Sequence, residues 1–432
     1  MNMEQLFKQA WAQLKQQPVI SAVSVAGTAL SIFLIMLVVM MQQVKTVPFA
    51  PESYRNRFLH VKMSSVTHKA WGSDDSNNGP WSARSLQDIY KPMQTPEAVT
   101  IYTYIPIATP VSLPGEPSFV VDMLETDVDF WRVFDFVFRQ GKPYDEAVFT
   151  AGQPVAVMTE SVARRLFGTT DVVGKEFLLA YVVYRVVGVV KDVSTLANTA
   201  YAQVWIPYTS TNQVQNTWED NLMGLMSCTI LAKDPADFPA IREEALRRLE
   251  AKNKSLEETG YSFINRNRPY TQEKDVLAYG ANYEPDVQAS RRQRWIIYLI
   301  LLFVPAINLS SMTQSRLRQR VSEIGVRRAF GATRTELMGQ LLGENLIITL
   351  SAGLFGLLLS ILFAYVGNEF LFAQEFSYII APPTVDASIL IHYSTFLMAL
   401  VFCFVLNLLS TGIPAWRASR MKIVDSIGGK LY

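Results

Sequence analysis

The sequence predicts an α-helical membrane protein with four transmembrane helices and a large mixed α/β extracytoplasmic domain inserted between helices 1 and 2. Three observations predict it. Four apolar runs, at 18–41, 295–312, 346–367 and 389–412, each come near the ~20 residues a helix needs to cross the hydrocarbon core. About 250 residues separate the first run from the second, far more than a connecting loop requires. Basic residues gather on one set of connecting segments and are missing from the other.

Half of the 432 residues are hydrophobic, 18% are charged and the net charge is +1, which fits a membrane protein with a sizeable soluble part. No nucleic-acid partner is expected. The first run resembles a signal peptide in position, but its apolar stretch exceeds the usual ~7–15 residues and no small-residue cleavage site closes it. It is read as a retained span, preceded by a cytoplasmic amphipathic helix over 1–17.

Charge sets the orientation. Lys8 and Lys15 precede the first run, six arginines lie between 313 and 340, and Arg417, Arg420, Lys422 and Lys430 follow the fourth run. Residues 368–388 hold Glu369, Glu375 and Asp386 and no basic residue. The positive-inside rule then places both termini and the 313–345 segment in the cytoplasm, and 42–294 and 368–388 outside. Arg291, Arg292 and Arg294 fall on the outer side, but long loops translocate largely regardless of charge.

The inserted domain reads as mixed α/β. Residues 155–168 predict a strand running into a helix, with Thr159 or Ser161 as N-cap and Gly168 as the left-handed stop. Residues 175–193 are rich in β-branched and aromatic types and predict paired strands. Residues 227–253 predict strand, turn and an amphipathic helix with Phe238, Ile241, Ala245, Leu246 and Leu249 on its apolar face. The stretch 72–81 reads as a polar loop.

Little in the chain points to covalent chemistry. Cys228 and Cys403 lie in different parts, and His60, His68 and His392 are scattered, so neither a disulfide framework nor a metal site is expected. Asp122, Glu125, Asp127 and Asp129 cluster, and are read as the solvated start of a packed segment rather than a carboxylate active site. The sequence contains no G-x-S-x-G, no H-E-x-x-H and no G-x-x-x-x-G-K-[ST]. A non-catalytic chain without a cofactor is expected, with any ATP hydrolysis carried out elsewhere.

Residues 314–330 continue the second run as a charged helix, with Gly331 as its C′ residue. Thr333 with Glu336 three positions on forms a capping box that starts a new helix. The result is a short helix–turn–helix elbow beside the membrane. In the third run, Ala352, Gly356, Ser360 and Ala364 recur every four residues, a small-residue stripe that permits close helix packing. Packing within the chain and contact with a second copy are both open for this stripe.

The segments 307-INLSSMTQSRLRQRVSEIGVRRAFGATRTELMGQLLGENLI-347 and 414-PAWRASRMKIVDSI-427 resemble the C-terminal unit of MacB/FtsX-type (type VII) ABC transporter permeases. The segments 155-VAVMTESVARRLFGTTDVVGKEF-177, 186-VVGVVKDV-193 and 204-VWIPY-208 resemble the periplasmic core domain of the same family. MacB itself carries a fused ATPase domain that these residues lack, so the resemblance implies an ABC ATPase subunit in a separate chain. It makes the elbow the ATPase-coupling element, with Phe330 as anchor, Glu323, Arg327 and Arg328 as a charged rim, and Gly331, Thr333 and Glu336 as its stops. The alternative is that these arginines only fix topology and touch lipid headgroups.

The resemblance further implies a homodimer or a heterodimer with a related permease, a periplasmic adaptor protein, and residence in the cytoplasmic (inner) membrane. The expected function is a permease that couples ATP hydrolysis to movement of its outer domain, for export or extraction of a substrate from the outer side. The second reading is an FtsX-like mechanotransmitter that regulates an extracytoplasmic enzyme without transport. A plain membrane-anchored receptor would not need the elbow. Macrolides, peptides, lipoproteins and other lipidic molecules all stay open as substrates.

Overall fold

The structure of the chain, a computed structural model, describes residues 18–72, 74–319, 321–367, 371–372, 379–380 and 393–420. The expected helix over 1–17, most of the 368–388 loop, residues 389–392 and the tail beyond 420 lie outside the described residues. The chain divides into a helical unit (1–43, 288–371 and 386–432) and an α/β unit (44–287 and 372–385).

In the α/β unit the chain leaves helix α1 (Pro18–Thr46) and forms β1 (Phe58–Val61), β2 (Ser64–His68), β3 (Asn77–Gly79), α2 (Ala83–Ile89) and β4 (Ala98–Thr103). It continues with β5 (Ile107–Ser112), β6 (Phe119–Thr126), α3 (Phe130–Val133), β7 (Phe138–Gly141), α4 (Glu146–Thr150), β8 (Val155–Thr159) and α5 (Glu160–Phe167). It ends with β9 (Glu176–Leu179), β10 (Val182–Val190), β11 (Val204–Pro207), β12 (Met226–Leu231), α6 (Phe238–Ser255), β13 (Tyr261–Phe263), β14 (Tyr270–Thr271) and α7 (Gln272–Asp275).

The main sheet runs β11-β8-β10-β9-β5-β6-β4-β12-β1-β14, and β11 also pairs in parallel with β6. That second pairing closes β11, β8, β10, β9, β5 and β6 into a ring, and β7 pairs with β10 beside it. Inside the ring sit Val111, Val121, Met123, Met158, Phe177, Leu179, Val186 and Ile206, with Val162 and Ala163 of α5 packed with them. β8, α5 and β10 make a parallel crossover unit, and Gly168 stops α5 at φ +71°. The open half of the sheet, through β4, β12 and β1, packs against α2 and α6.

Four local expectations change. The helix start at α5 has Thr159 in the N-cap position without a side-chain cap; the Asp192 carboxylate takes the Ser161 N–H instead, at 3.0 Å. Leu246 lies on the outer face of α6, 38% exposed, while Ile241, Ala245 and Leu249 are buried. Residues 77–79 pair with β2 as a strand rather than looping freely. The acidic run is not solvated: Asp122, Glu125 and Asp127 are all buried, because from Val121 onward β6 is covered on both faces.

Each buried carboxylate in that run has a structural task. Asp127 pairs with Lys91 and accepts from Thr100 Oγ1 (2.7 Å), Ile101 N (3.1 Å) and Phe130 N (3.2 Å). Asp122 accepts from the Tyr201 hydroxyl at 3.1 Å. Glu125 is less satisfied: Oε2 accepts from Thr211 Oγ1 at 3.0 Å, and Oε1 has no partner.

The end of α1 is fixed by a buried ion pair. Arg55 Nε donates to Glu52 Oε2 at 2.6 Å, Nη1 to the carbonyls of Val44 (2.7 Å) and Val47 (3.1 Å), and Nη2 to the Leu196 carbonyl (2.7 Å). Glu52 Oε1 accepts from the backbone N–H groups of Thr199 (2.8 Å) and Ala200 (3.0 Å). Burial acts to raise the Glu52 carboxyl, but Arg55 and those N–H groups outweigh it and hold it below the usual carboxylate range. A second tie runs from Gln272 Nε2 to the Lys45 carbonyl at 2.9 Å.

In the helical unit, α8 (Val287–Gln319), α9 (Val321–Ala329), α10 (Arg334–Val366) and α11 (Tyr393–Arg420) follow. Three helices among the described residues are long and apolar enough to cross a bilayer: Val25–Thr46, Arg334–Val366 and Ser394–Arg417. The expected second span, 295–312, lies within α8, which runs unbroken through Pro305. Several of its side chains lie outside the described residues.

Glu125 generates a pH prediction. Burial pushes its carboxyl up to about 7, from an ordinary 4.5, with Thr211 offsetting only part. A raised carboxyl keeps its proton in the folded state, so stability falls as pH climbs from about 4.5 to about 7 and is flat above. Glu125→Gln should therefore stabilise the protein above neutrality by about 3 kcal/mol and remove that slope. Denaturant unfolding of both proteins across the window checks it; parallel pH profiles would contradict it.

Candidate functional site

The elbow between α8 and α10 is built from local backbone rules. Helix α9 ends in a Schellman motif: the Ala332 N–H donates to the Arg327 carbonyl and the Gly331 N–H to the Arg328 carbonyl, both at 3.1 Å. Gly331 takes φ +95°, a conformation a side chain would strain, although a Cβ there would meet nothing within 4 Å. Two residues on, Thr333 caps α10. Its Oγ1 accepts from Glu336 N at 3.2 Å, while Thr333 N donates to Glu336 Oε2 at 2.9 Å.

A small apolar core holds the elbow in place. Leu317 of α8, Ile324 of α9, Leu337 and Leu341 of α10 and Ala415 of α11 are buried together, with Ala332 packed against them. Arg327 braces α9 to α10. Its Nη2 donates to Glu323 Oε1 and its Nη1 to Gln340 Oε1, each at 2.7 Å, and Gln340 passes the chain on to the buried Glu344 at 2.8 Å. Glu323 and Arg327 are thus committed partly to each other, and Arg328 is half-buried.

Phe330 does the opposite. It is 89% exposed, the most exposed of the large hydrophobic side chains described. Val326, one turn earlier, is 46% exposed, so the two form an apolar lip. Beside it an open groove of about 420 Å³ is lined by Arg327, Ala332, Glu336 and Gln340 among others. Sequence reading missed Val326, Gln340 and Glu344. The i,i+4 spacings of Val326 with Phe330 and of Gln340 with Glu344 were the available signals.

The small-residue stripe lies elsewhere. Ala352, Gly356, Ser360 and Ala364 are all buried inside this chain's own helices. A Cβ on Gly356 would meet the Ala29 carbonyl of α1 at 2.4 Å, and one on the neighbouring Gly353 would meet Cys403 Sγ of α11 at 2.1 Å. These contacts let three helices approach closely. Among the described residues no His, Cys, Asp and Glu group could hold a metal ion.

The caps make a prediction about rigidity. Thr333→Ala removes a side-chain N-cap that is worth about 1 kcal/mol. Amide hydrogen exchange at Glu336 and Leu337 should then speed about fivefold, with Leu341 unchanged. Equal exchange in the two proteins would show that the cap does not hold the start of α10.

Residues 21–248 match the family described as MacB-like periplasmic core domain, and residues 295–423 match the FtsX-like permease C-terminal family. The macrolide export ATP-binding/permease proteins MacB of Escherichia coli O157:H7 and of Escherichia coli strain K12 are each 25% identical over 304 residues. That alignment covers 69% of this chain and 42% of theirs, so the chain spans about two-fifths of the length of these relatives. Among solved structures, the periplasmic region of MacB from Actinobacillus actinomycetemcomitans aligns at TM-score 0.33 and 16% identity, over 49% of this chain and 92% of that one. The extracellular domain of the noncanonic ABC-type transporter YknZ from Gram-positive bacteria aligns at TM-score 0.33 and 11% identity, over 47% and 100%. The first family match spans more than half of the residues and the second follows it: the chain belongs to the MacB/FtsX-type ABC transporter permeases.

Proposed function

We propose that the chain is the membrane-spanning subunit of an ABC exporter, and that a separate ATPase subunit grips the elbow at Phe330 and Val326. The observation that carries this is an apolar side chain 89% exposed at the tip of a doubly stopped, internally braced turn. An exposed Phe on rigid backbone is costly in water and fits a partner's pocket, where aromatic anchors dominate binding. Arg328 and the Glu323–Arg327 pair then form a charged rim that sets register.

In this reading the chain has four spans, with α8 supplying the second through 295–312. The N-terminus, the elbow and the C-terminus face the cytoplasm, the large domain lies outside the inner membrane, and two permease copies or a related pair assemble with the ATPases and a periplasmic adaptor. ATP stays on the partner. Movement of the elbow reaches the outer domain along α1, whose end is clamped by Arg55. The mechanotransmitter reading shares the elbow and the clamp and differs in moving no substrate; an export assay separates the two.

Phe330→Asp should abolish co-purification of the ATPase while leaving membrane insertion intact, a loss on the order of 2 kcal/mol or more. Arg316→Gln should do far less, because it removes one of six arginines between 313 and 340. An unchanged ATPase yield with Phe330→Asp would falsify the coupling role.

A further inference from the structure

A polar cavity of about 150 Å³ lies in the α/β unit between β1 and the segment 266–281, lined by His60, Lys62, Tyr104, Arg268, Tyr270 and Asp275 among others. Its charges do not balance. Lys62 Nζ pairs with Asp275 Oδ2 at 2.7 Å, which accounts for one cation and the one carboxylate in the lining. Burial disfavours the charged form of His60 and lowers its pKa, and its ring nitrogens are bonded to Thr229 Oγ1 (3.2 Å) and Gln272 Oε1 (2.7 Å).

Arg268 is left over. It is only 5% exposed, and its partners are neutral: the Ala281 carbonyl at 2.7 Å, Ser65 Oγ at 3.5 Å, and the face of Tyr270 at 5.6 Å. Arg266 Nε also donates to Ser65 Oγ, at 3.2 Å, but Arg266 does not line the cavity. Among the described residues Arg268 has no carboxylate partner. A buried guanidinium without a counter-charge is strongly unfavourable, and an anion entering the cavity offsets that cost.

We propose that this cavity binds a singly charged oxyanion, a carboxylate or a phosphodiester, between the Arg268 guanidinium and the Lys62 ammonium. One surplus positive charge matches one negative charge, and Asp275 beside Lys62 disfavours a second. The guanidinium fork suits paired oxygens, and Lys62 has N–H donors beyond the one given to Asp275. The volume holds the equivalent of about five waters at ~30 Å³ each, enough for such a group but not for a large ligand. Through His60 and Gln272 the cavity connects to the Lys45 carbonyl at the end of α1.

The test uses the full chain in dodecyl maltoside micelles, which contain no phosphodiester. Sodium acetate and monobasic inorganic phosphate are titrated against sodium chloride at matched ionic strength, with binding read by calorimetry. Saturable oxyanion binding that chloride does not reproduce is expected, and Arg268→Gln should weaken it about tenfold or more, as loss of a charge-assisted bond predicts. Arg84→Gln, on the exposed face of α2, should leave it unchanged. Ala278→Phe fills the cavity from its lining without removing a charge, and should also block binding if Arg268→Gln fails to fold. Adding phosphatidylglycerol to these phosphodiester-free micelles separates the sources: competition with acetate identifies a lipid phosphodiester as the occupant, and no competition identifies a free small anion. No saturable binding beyond chloride, or unweakened binding in both cavity variants, overturns the proposal.

Discussion

The buried pair of Arg55 and Glu52 is the constraint on which the rest of the α/β unit depends. The last turn of a helix leaves carbonyls without partners and concentrates negative charge there. At the end of α1 those carbonyls meet a guanidinium, which also holds Glu52 and the Leu196 carbonyl. Glu52 in turn holds the backbone of 199–200. Removing one member of such a pair leaves an uncompensated buried charge, typically at a cost of about 3–5 kcal/mol. The end of α1 therefore cannot shift without moving the loop ahead of β11.

That loop matters because β11 closes the ring. It pairs with β8 on one side and with β6 on the other, so a displacement of 194–200 acts on a closed set of six strands rather than on a frayed edge. Closed, densely filled sheets transmit displacement as bodies, since their interiors resist compression. At the other end of the proposed route, the elbow has the same character. Its turn is fixed by Gly331 and Thr333, its two helices are tied through Arg327 and Gln340, and a small apolar core lies beneath it. Both are stiff fittings, and this suits a protein whose proposed task is to pass on movement.

The sequence showed these two fittings very unequally. Gly331, Thr333 and Glu336 were readable because helix stops follow local rules that need only a few adjacent residues. The strand–helix unit at 155–168 and the paired strands after 175 were readable for the same reason. Arg55 and Glu52 were not, since an Arg and a Glu three apart look like any surface pair, and their partners lie as far away as Leu196 and Thr199. The acidic run at 122–129 was misread because a central strand covered on both faces can bury carboxylates once Lys91, Thr100 and Tyr201 are in place. Closure of the ring through β6 and β11 is a long-range register that no local pattern encodes.

The most direct measurement is an ATP-dependent distance between the two units in the chain reconstituted with the proposed ATPase subunit. Spin labels at Tyr181 and Val366, 80% and 75% exposed, report it without disturbing packed residues. The account predicts a distance change on ATP addition in the otherwise unmodified chain. With Arg55→Ala it predicts that this change is lost while ATP hydrolysis and ATPase binding persist. An unaltered distance change in the Arg55→Ala protein would contradict transmission through the clamp.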